Sequence, residues 1–525
     1  MKKRLFKITI ILFFALLLII LQVDNKKCEK VESLNSIKNI DYNDYRYIIK
    51  NRKKAEQKLL NIKYKNIDIP HDNVKDDYYF CKYDNYNFDI YYDSNIHVEK
   101  FMVNNNELRL IAYNKQVYRV YNIVLTKFPI ININISSKNK TSQIISNNYS
   151  YGNITLFENN EIKNTLKILN EDAKFKIRGI SSTYYPKKSY TIKFIDLKTG
   201  KDKLVDNVLN LQSNTTFSLN SLYEDESKIR DTLSLGTWQH IDKKNNKNNE
   251  IGMNYVELLI NNQYQGLYGL GDVINEYKLN LRQNNEIIYK INNDLVSSMP
   301  YIKEQNLGQN TLEIVYPRNI NNEILKPYNE LNKLIYVSND DIFSKDISNY
   351  INIDNYIDYF ILLELTYNTD GLCKNNILDY KNGKFIKIPW DFDLTWGGCW
   401  TQENDLKIYY NSKLSKKLLY QNGNENLKTY LEQRLWQNNV GNFRQKVAKR
   451  WKELRSGFLE TESFVNYANS LYDEVTERGA REREHERWPD GGYSTDNSFI
   501  EKFIRQRLPY LDSQFLQYLD DSGEN

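Results

Sequence analysis

Cysteine and histidine are scarce in this 525-residue chain, with four of each. Cys28, Cys81, Cys373 and Cys399 include no Cys-x-x-Cys pair, and His71, His97, His240 and His485 are scattered, so a zinc site is not indicated. Alanine and glycine are sparse beside abundant Tyr, Ile, Asn and Lys, a bias that reads as nucleotide composition of a source genome. No arginine-rich tract with interleaved aromatics occurs and the net charge is only +5, which argues against nucleic acid as a partner. Repeats and long low-complexity runs are also missing. What remains is a chain 41% hydrophobic, enough for a proper core, and long enough for two or three domains.

Residues 1–23 read as a targeting segment. Lys2, Lys3, Arg4 and Lys7 precede an uncharged apolar run, Ile8 to Val23, short for a spanning helix of about 20 residues. A cleaved signal peptide and a retained signal anchor both fit. Either would export the remainder, because the positive flank stays inside. Residues 24–77 are polar and read as a stalk or linker with some helix. From 78 to 126, β-prone runs (Phe88 to Tyr92, His97 to Val103, Leu108 to Tyr113, Val117 to Val124) predict a small all-β module.

Chemistry concentrates between Asn368 and Gly397. Asp370 is followed five positions later by Asn375, then by a short apolar hairpin and by Pro389-Trp390-Asp391-Phe392-Asp393. Asn382-Gly383 suits the tip of a two-residue turn, which sets Lys381 opposite Lys384 and Asn375 opposite Trp390. Opposed residues lie about 5 Å apart, so carboxamide and carboxylates gather at the hairpin's open end. Strand alternation favours Asn376 rather than Asn375 on the face of Asp391, and both stay candidates. Protein kinases place a base and two magnesium ligands in this order. Asp370 would accept a hydroxyl proton, with Asp391, Asp393 and one amide oxygen as metal ligands. The helix Ile353 to Tyr367, capped by Asn352 or Asp354, delivers that loop.

A second landmark runs from Lys174 to Phe194. Arg178-Gly179-Ile-Ser181-Ser182 opens a loop whose amides can hold phosphate oxygens. In the following strand Lys193 alternates onto the polar face. Leu219 to Gly236 reads as a capped helix, with Arg230 and Asp231 placed to brace a lysine or phosphates. Arginine is enriched at the end, nine in the first 433 residues and ten in the last 92, and three helical stretches are expected there: Asn442 to Phe458, Glu462 to Arg487 and Asn497 to Leu519. If the chain is exported, Cys373 and Cys399 could join the two acidic loops as a disulfide, or stand as two thiols.

Taken together, these motifs resemble the CotH kinase family, over roughly Phe128 to Leu519. The residues that carry the likeness are Arg178-Gly179-x-Ser181-Ser182, Lys187-Lys188-Ser189-Tyr190-x-Ile192-Lys193-Phe194, Ser221-Leu222 through Arg230, Tyr264-x-Gly266-x-Tyr268, Asn368-x-Asp370 and Pro389 to Gly397. The resemblance implies an α+β, divergent protein-kinase-like two-lobed fold over residues 128–520, with C-terminal helices from about 432, preceded by the N-terminal membrane segment and the β-module. It implies ATP and Mg2+ (or Mn2+) as cofactors and Ser or Thr of surface or spore-coat proteins as acceptors. Asp370 would then be the base, Asp391 the metal ligand with Asp393 in support, and Lys188 or Lys193 the phosphate contact. Two rivals need fewer parts: a catalytically inactive scaffold that keeps the fold, and a metal-free glycan hydrolase using Asp370 with Asp391.

Overall fold

The computed structural model describes residues 29–81, 88–104, 107–136, 148–160, 165–242, 251–281, 286–292, 302–308, 311–400, 408–420 and 431–519. Residues 1–23 lie outside these. Among the described residues no helix is long and apolar enough to cross a membrane. Helix and strand are mixed throughout, and the chain divides into two compact units.

The first unit comprises residues 1–134, 155–169 and 258–264. Its strands Asp89–Asp93, His97–Asn104, Glu107–Tyr113 and Val117–Leu125 fall where alternation predicts them. The stretch read as a polar stalk differs from that expectation. It supplies the strands Glu29–Ser33 and Leu60–Tyr64, and it sends Leu34, Leu60, Ile62 and Ile69 into a core with Tyr78, Ile90, Leu110 and Tyr121. Its apolar residues are spaced by two within Lys- and Asn-rich surroundings, so average polarity conceals a half-buried sheet.

The second unit holds residues 135–154, 170–257 and 265–525. In it the strands Ser189–Phe194 and Thr216–Asn220 pair antiparallel with each other and are flanked, also antiparallel, by residues 173–178 and 269–272. Leu219 to Gly236 is not a single helix. The strand ends at Asn220, Leu222 and Lys228 take positive φ of 53° and 65°, and the helix Arg230–Ile241 starts only where Asp225 Oδ2 accepts the Arg230 N–H at 2.8 Å. A carboxylate that receives the first helical amide sets this boundary.

A second sheet orders Leu312–Tyr316, Ile287–Ile291, Asn376–Lys381 and Lys384–Ile388. Its hairpin has the predicted register, with Lys381 facing Lys384 and Ile377 facing Ile388. Asn382 and Gly383 take the positive φ values (53° and 80°) that the tight turn requires. Beside it lies the buried helix Ile353–Thr366. Asn352, not Asp354, caps it through Asn355 N, and Tyr367 ends it in the left-handed region.

The C-terminal helices are Phe443–Arg455, Thr461–Thr476, Ala480–Arg487 and Ser498–Phe515. Positive φ at Arg478 and Gly479 breaks the stretch expected as one helix from Glu462 to Arg487. These helices are more than an outer layer, because they insert charges into the interior. Arg507 pairs with Glu364 at 3.0 Å, Arg450 with Asp358 at 2.8 Å, and Glu484 with Lys187 at 2.7 Å.

Candidate functional site

Asp370 opens a single helical turn, Asp370–Cys373, directly after the buried helix. Asn368, fully buried, accepts the Gly371 N–H at 2.8 Å and so holds that turn in place. Lys374 lies 2.8 Å from Asp370 Oδ2.

Across from it, the Asp391–Asp393 loop is tied down from several directions. The Trp396 N–H donates to Thr366 O at 2.8 Å, and Thr395 O accepts from Arg230 Nε at 3.0 Å. The Phe392 N–H donates to Asp231 Oδ1 at 2.8 Å, while Asp231 Oδ2 accepts from Asn220 Nδ2 at 2.7 Å. Asp391 itself sits at φ +65°, a conformation that Asp tolerates better than most side chains.

Burial, and next the charge of Asp370, raises the pKa of Asp391; Arg178, Lys290 and Lys374 oppose the shift. Asp391 is nevertheless open to solvent. A group both crowded by protein and exposed lies on the floor of a cleft. Burial and then Asp391, Asp231 and Asp370 push Asp393 well above the carboxylate range. Asp231 is raised to about 7 by burial and by Asp391. These carboxylates therefore share one electrostatic neighbourhood and repel one another, a situation that an added cation relieves. Among the described residues no group of three or more His, Cys, Asp or Glu side chains is close enough to hold a metal ion unaided. Magnesium asks less of a protein, taking one or two carboxylates and completing its shell with water and substrate phosphate. The hard oxygens here are of the right kind.

The other predicted residues divide. Gly179 has φ +101°, and a Cβ there would meet Ser182 Oγ at 1.8 Å, so only glycine fits this turn. Ser181 and Ser182 lie in the turn Ser181–Tyr184 that follows, with Ser181 exposed. Arg178, the last residue of its strand, feels both Asp391 and Asp231. Asn375 sits at φ +57°, half-exposed just before the hairpin. Asn376 is buried, and its Oδ1 accepts from Lys387 Nζ at 2.8 Å, so its amide oxygen is already engaged.

Lys193 pairs with Asp202 at 2.6 Å. Lys188 donates to Thr183 O at 2.7 Å and to Tyr185 O, closing its own loop. Arg230 is wholly buried, pairing with Asp225 at 2.5 Å and stacked 4.4 Å from the Tyr410 ring centroid. Cys399 is a free thiol 3.5 Å from Tyr409 O, and the Cys373 side chain lies outside the described residues. Asp272 is held by Lys278 at 2.8 Å.

Sequence reasoning missed Lys290, which no motif marks, and gave no role to Trp390. Lys290 Nζ and Arg178 Cζ each lie 5.2 Å from the centroid of the Trp390 ring.

Acidic and basic side chains thus share one electrostatic neighbourhood within a mixed α+β unit. A family model described as CotH kinase protein matches residues 175–511, and the chain belongs to that family. The chain is also similar to the inner spore coat protein H of Bacillus subtilis strain 168, at 26% identity over 234 residues. That likeness covers 43% of this chain and 59% of the relative, so the chain spans less than two-thirds of that protein.

Proposed function

We propose that this protein is a metal-dependent protein kinase that transfers the terminal phosphate of ATP to Ser or Thr of spore-coat or surface proteins, on a divergent kinase-like fold. The observation that carries the reading is the shared electrostatic neighbourhood of Asp370 and Asp391, which reach it from opposite sides of the hairpin. Asp391, with Asp393 and the Asn375 amide, would hold Mg2+ or Mn2+, which when bound neutralises phosphate charge. Asp370, steadied by Lys374, would orient the acceptor hydroxyl and take its proton. The loop at Gly179, Ser181 and Ser182 would cover the phosphates. Catalysis of this kind comes from positioning and electrostatics rather than covalent chemistry.

The relative's name places it in the spore coat, and we extend that location to this chain as part of the proposal; export through residues 1–23 is the alternative route to a surface. A non-catalytic coat scaffold is the second reading, favoured by the same name. The deciding experiment incubates the purified chain and Ser-rich coat proteins with labelled ATP, with and without Mg2+ or Mn2+. Label that appears only with metal supports the kinase. Nucleotide binding without transfer to any protein tested supports the scaffold.

A further inference from the structure

Basic side chains around the acidic cleft are almost all committed. Lys187 is locked to Glu484 and to Leu267 O, Lys188 to its own loop, and Lys193 to Asp202. Lys228 donates to Leu222 O and Tyr223 O, Arg230 to Asp225 and Thr395, and Lys374 to Asp370. Two differ. Among the described residues the side chain of neither Arg178 nor Lys290 forms an ion pair or a hydrogen bond, and each lies against the Trp390 ring.

They arrive from different sheets. Arg178 ends the strand that leads into the Gly179 turn. Lys290 lies in Ile287–Ile291, between Glu313 on one side and Ile377 of the hairpin on the other. Trp390 immediately precedes Asp391, so both cations sit against the loop that bears the acidic cluster. Burial works against the charge of each, and Arg178 works against that of Lys290; Glu313 and Asp391 compensate only in part. A cation–π contact is worth about 0.5–2 kcal/mol, which does not replace lost hydration. Two like charges on one ring, both partly stripped of water, make a place suited to an anion.

We propose that Lys290 and Arg178, organised by Trp390, form the anion-binding wall of the cleft and contact the phosphate chain of a nucleoside triphosphate. The point charge of Lys290 and the planar fork of Arg178 grip phosphate oxygens that the metal leaves free. Lys290 thereby takes the role that the sequence offered to Lys188 or Lys193. This inference rests on the kinase reading for the nucleotide, but not for the anion.

Titration calorimetry on the full chain tests it, with Mg-ATP, adenosine and inorganic tripolyphosphate as probes. The proteins are wild type, Lys290→Met, Lys290→Arg and Trp390→Phe, each shown by thermal melting to be folded. Lys290→Met should weaken Mg-ATP and tripolyphosphate at least ~10-fold, the loss of one charge-assisted hydrogen bond, and leave adenosine unchanged. Lys290→Arg should lose much less, and Trp390→Phe should show part of the Lys290→Met loss. If wild type binds tripolyphosphate in a Lys290-dependent way but does not bind ATP, the anion wall stands and the kinase reading falls. If folded Lys290→Met binds Mg-ATP as tightly as wild type, the wall is wrong and the kinase reading survives. A folded wild type that binds no polyphosphate also overturns the wall.

Discussion

Asp231 Oδ1 accepts the backbone N–H of Phe392 at 2.8 Å, so a carboxylate at the start of one helix holds the loop that displays two others. The second oxygen of Asp231 is taken by Asn220, which ties the same loop to the end of a strand. The acidic cluster is thus anchored by one of its own members.

Removing that anchor should loosen the loop. Asp231→Ala leaves the Phe392 N–H and the Asn220 amide without their acceptor, a loss of about 1–3 kcal/mol in stability. Metal-dependent phosphate transfer should fall at least tenfold, while Asp231→Asn, which keeps an acceptor, should lose less of both. Transfer undiminished in a folded Asp231→Ala protein would contradict the anchoring role.

Asp391 offers a cleaner separation of charge from backbone. At φ +65° an alanine is strained by about 1–2 kcal/mol, whereas glycine is not. Asp391→Gly should therefore melt no lower than Asp391→Ala. Both should lose metal-dependent transfer, by several kcal/mol of transition-state stabilisation in order of magnitude. Activity retained in either would remove Asp391 from the metal site.

Gly266 controls a distant support. It has φ +103°, and a Cβ there would meet Glu484 Oε2 at 2.0 Å and Lys187 Nζ at 3.4 Å. Gly266→Ala should expel the Glu484 carboxylate from the notch where it receives Lys187 and the Leu267 N–H. Breaking a buried ion pair costs about 3–5 kcal/mol. Urea unfolding should show a loss of that order, and a change below about 1 kcal/mol would mean the notch is softer than the geometry implies.

Asp379 gives a pH signature away from the site. Burial raises its pKa to about 6; Lys381 lowers it and Glu286 raises it further. The folded state then holds a proton that the unfolded chain has already released, so stability falls as pH rises from about 4 to about 6 and is level above. Asp379→Asn should remove that slope and stabilise the protein at pH 8 by up to about 3 kcal/mol, with little gain at pH 4. Parallel melting curves for the two proteins across this range would count against the shift.

Local rules made part of this architecture readable. The Asn382-Gly383 turn, the register from Lys381 to Ile388 and the helix Ile353–Thr366 follow from patterns complete within about twenty residues, whereas the choice of Asn352 over Asp354 as its cap does not. The interruption of the predicted helix at Lys228 was not readable, because its cause is Asp225 folding back on Arg230 rather than any breaker residue. The choice between Asn375 and Asn376 was undecided for a similar reason. The five-residue spacing points to Asn375 and alternation to Asn376, and the structure engages Asn376 through Lys387, which arrives from the neighbouring strand.

The acidic side of the cleft was legible in the primary structure, since Asp370, Asp391 and Asp393 flank one hairpin whose geometry is local. Its basic side was not. Which cation stays available depends on the partners that folding brings to all the others, such as Asp202 for Lys193 and Glu484 for Lys187. Lys290 carries no motif, and it reaches Trp390 only because two strands far apart in the chain pair side by side. A turn is decided by the torsions of its own residues, whereas a charge is satisfied or left waiting by whatever lies within a few ångströms through space.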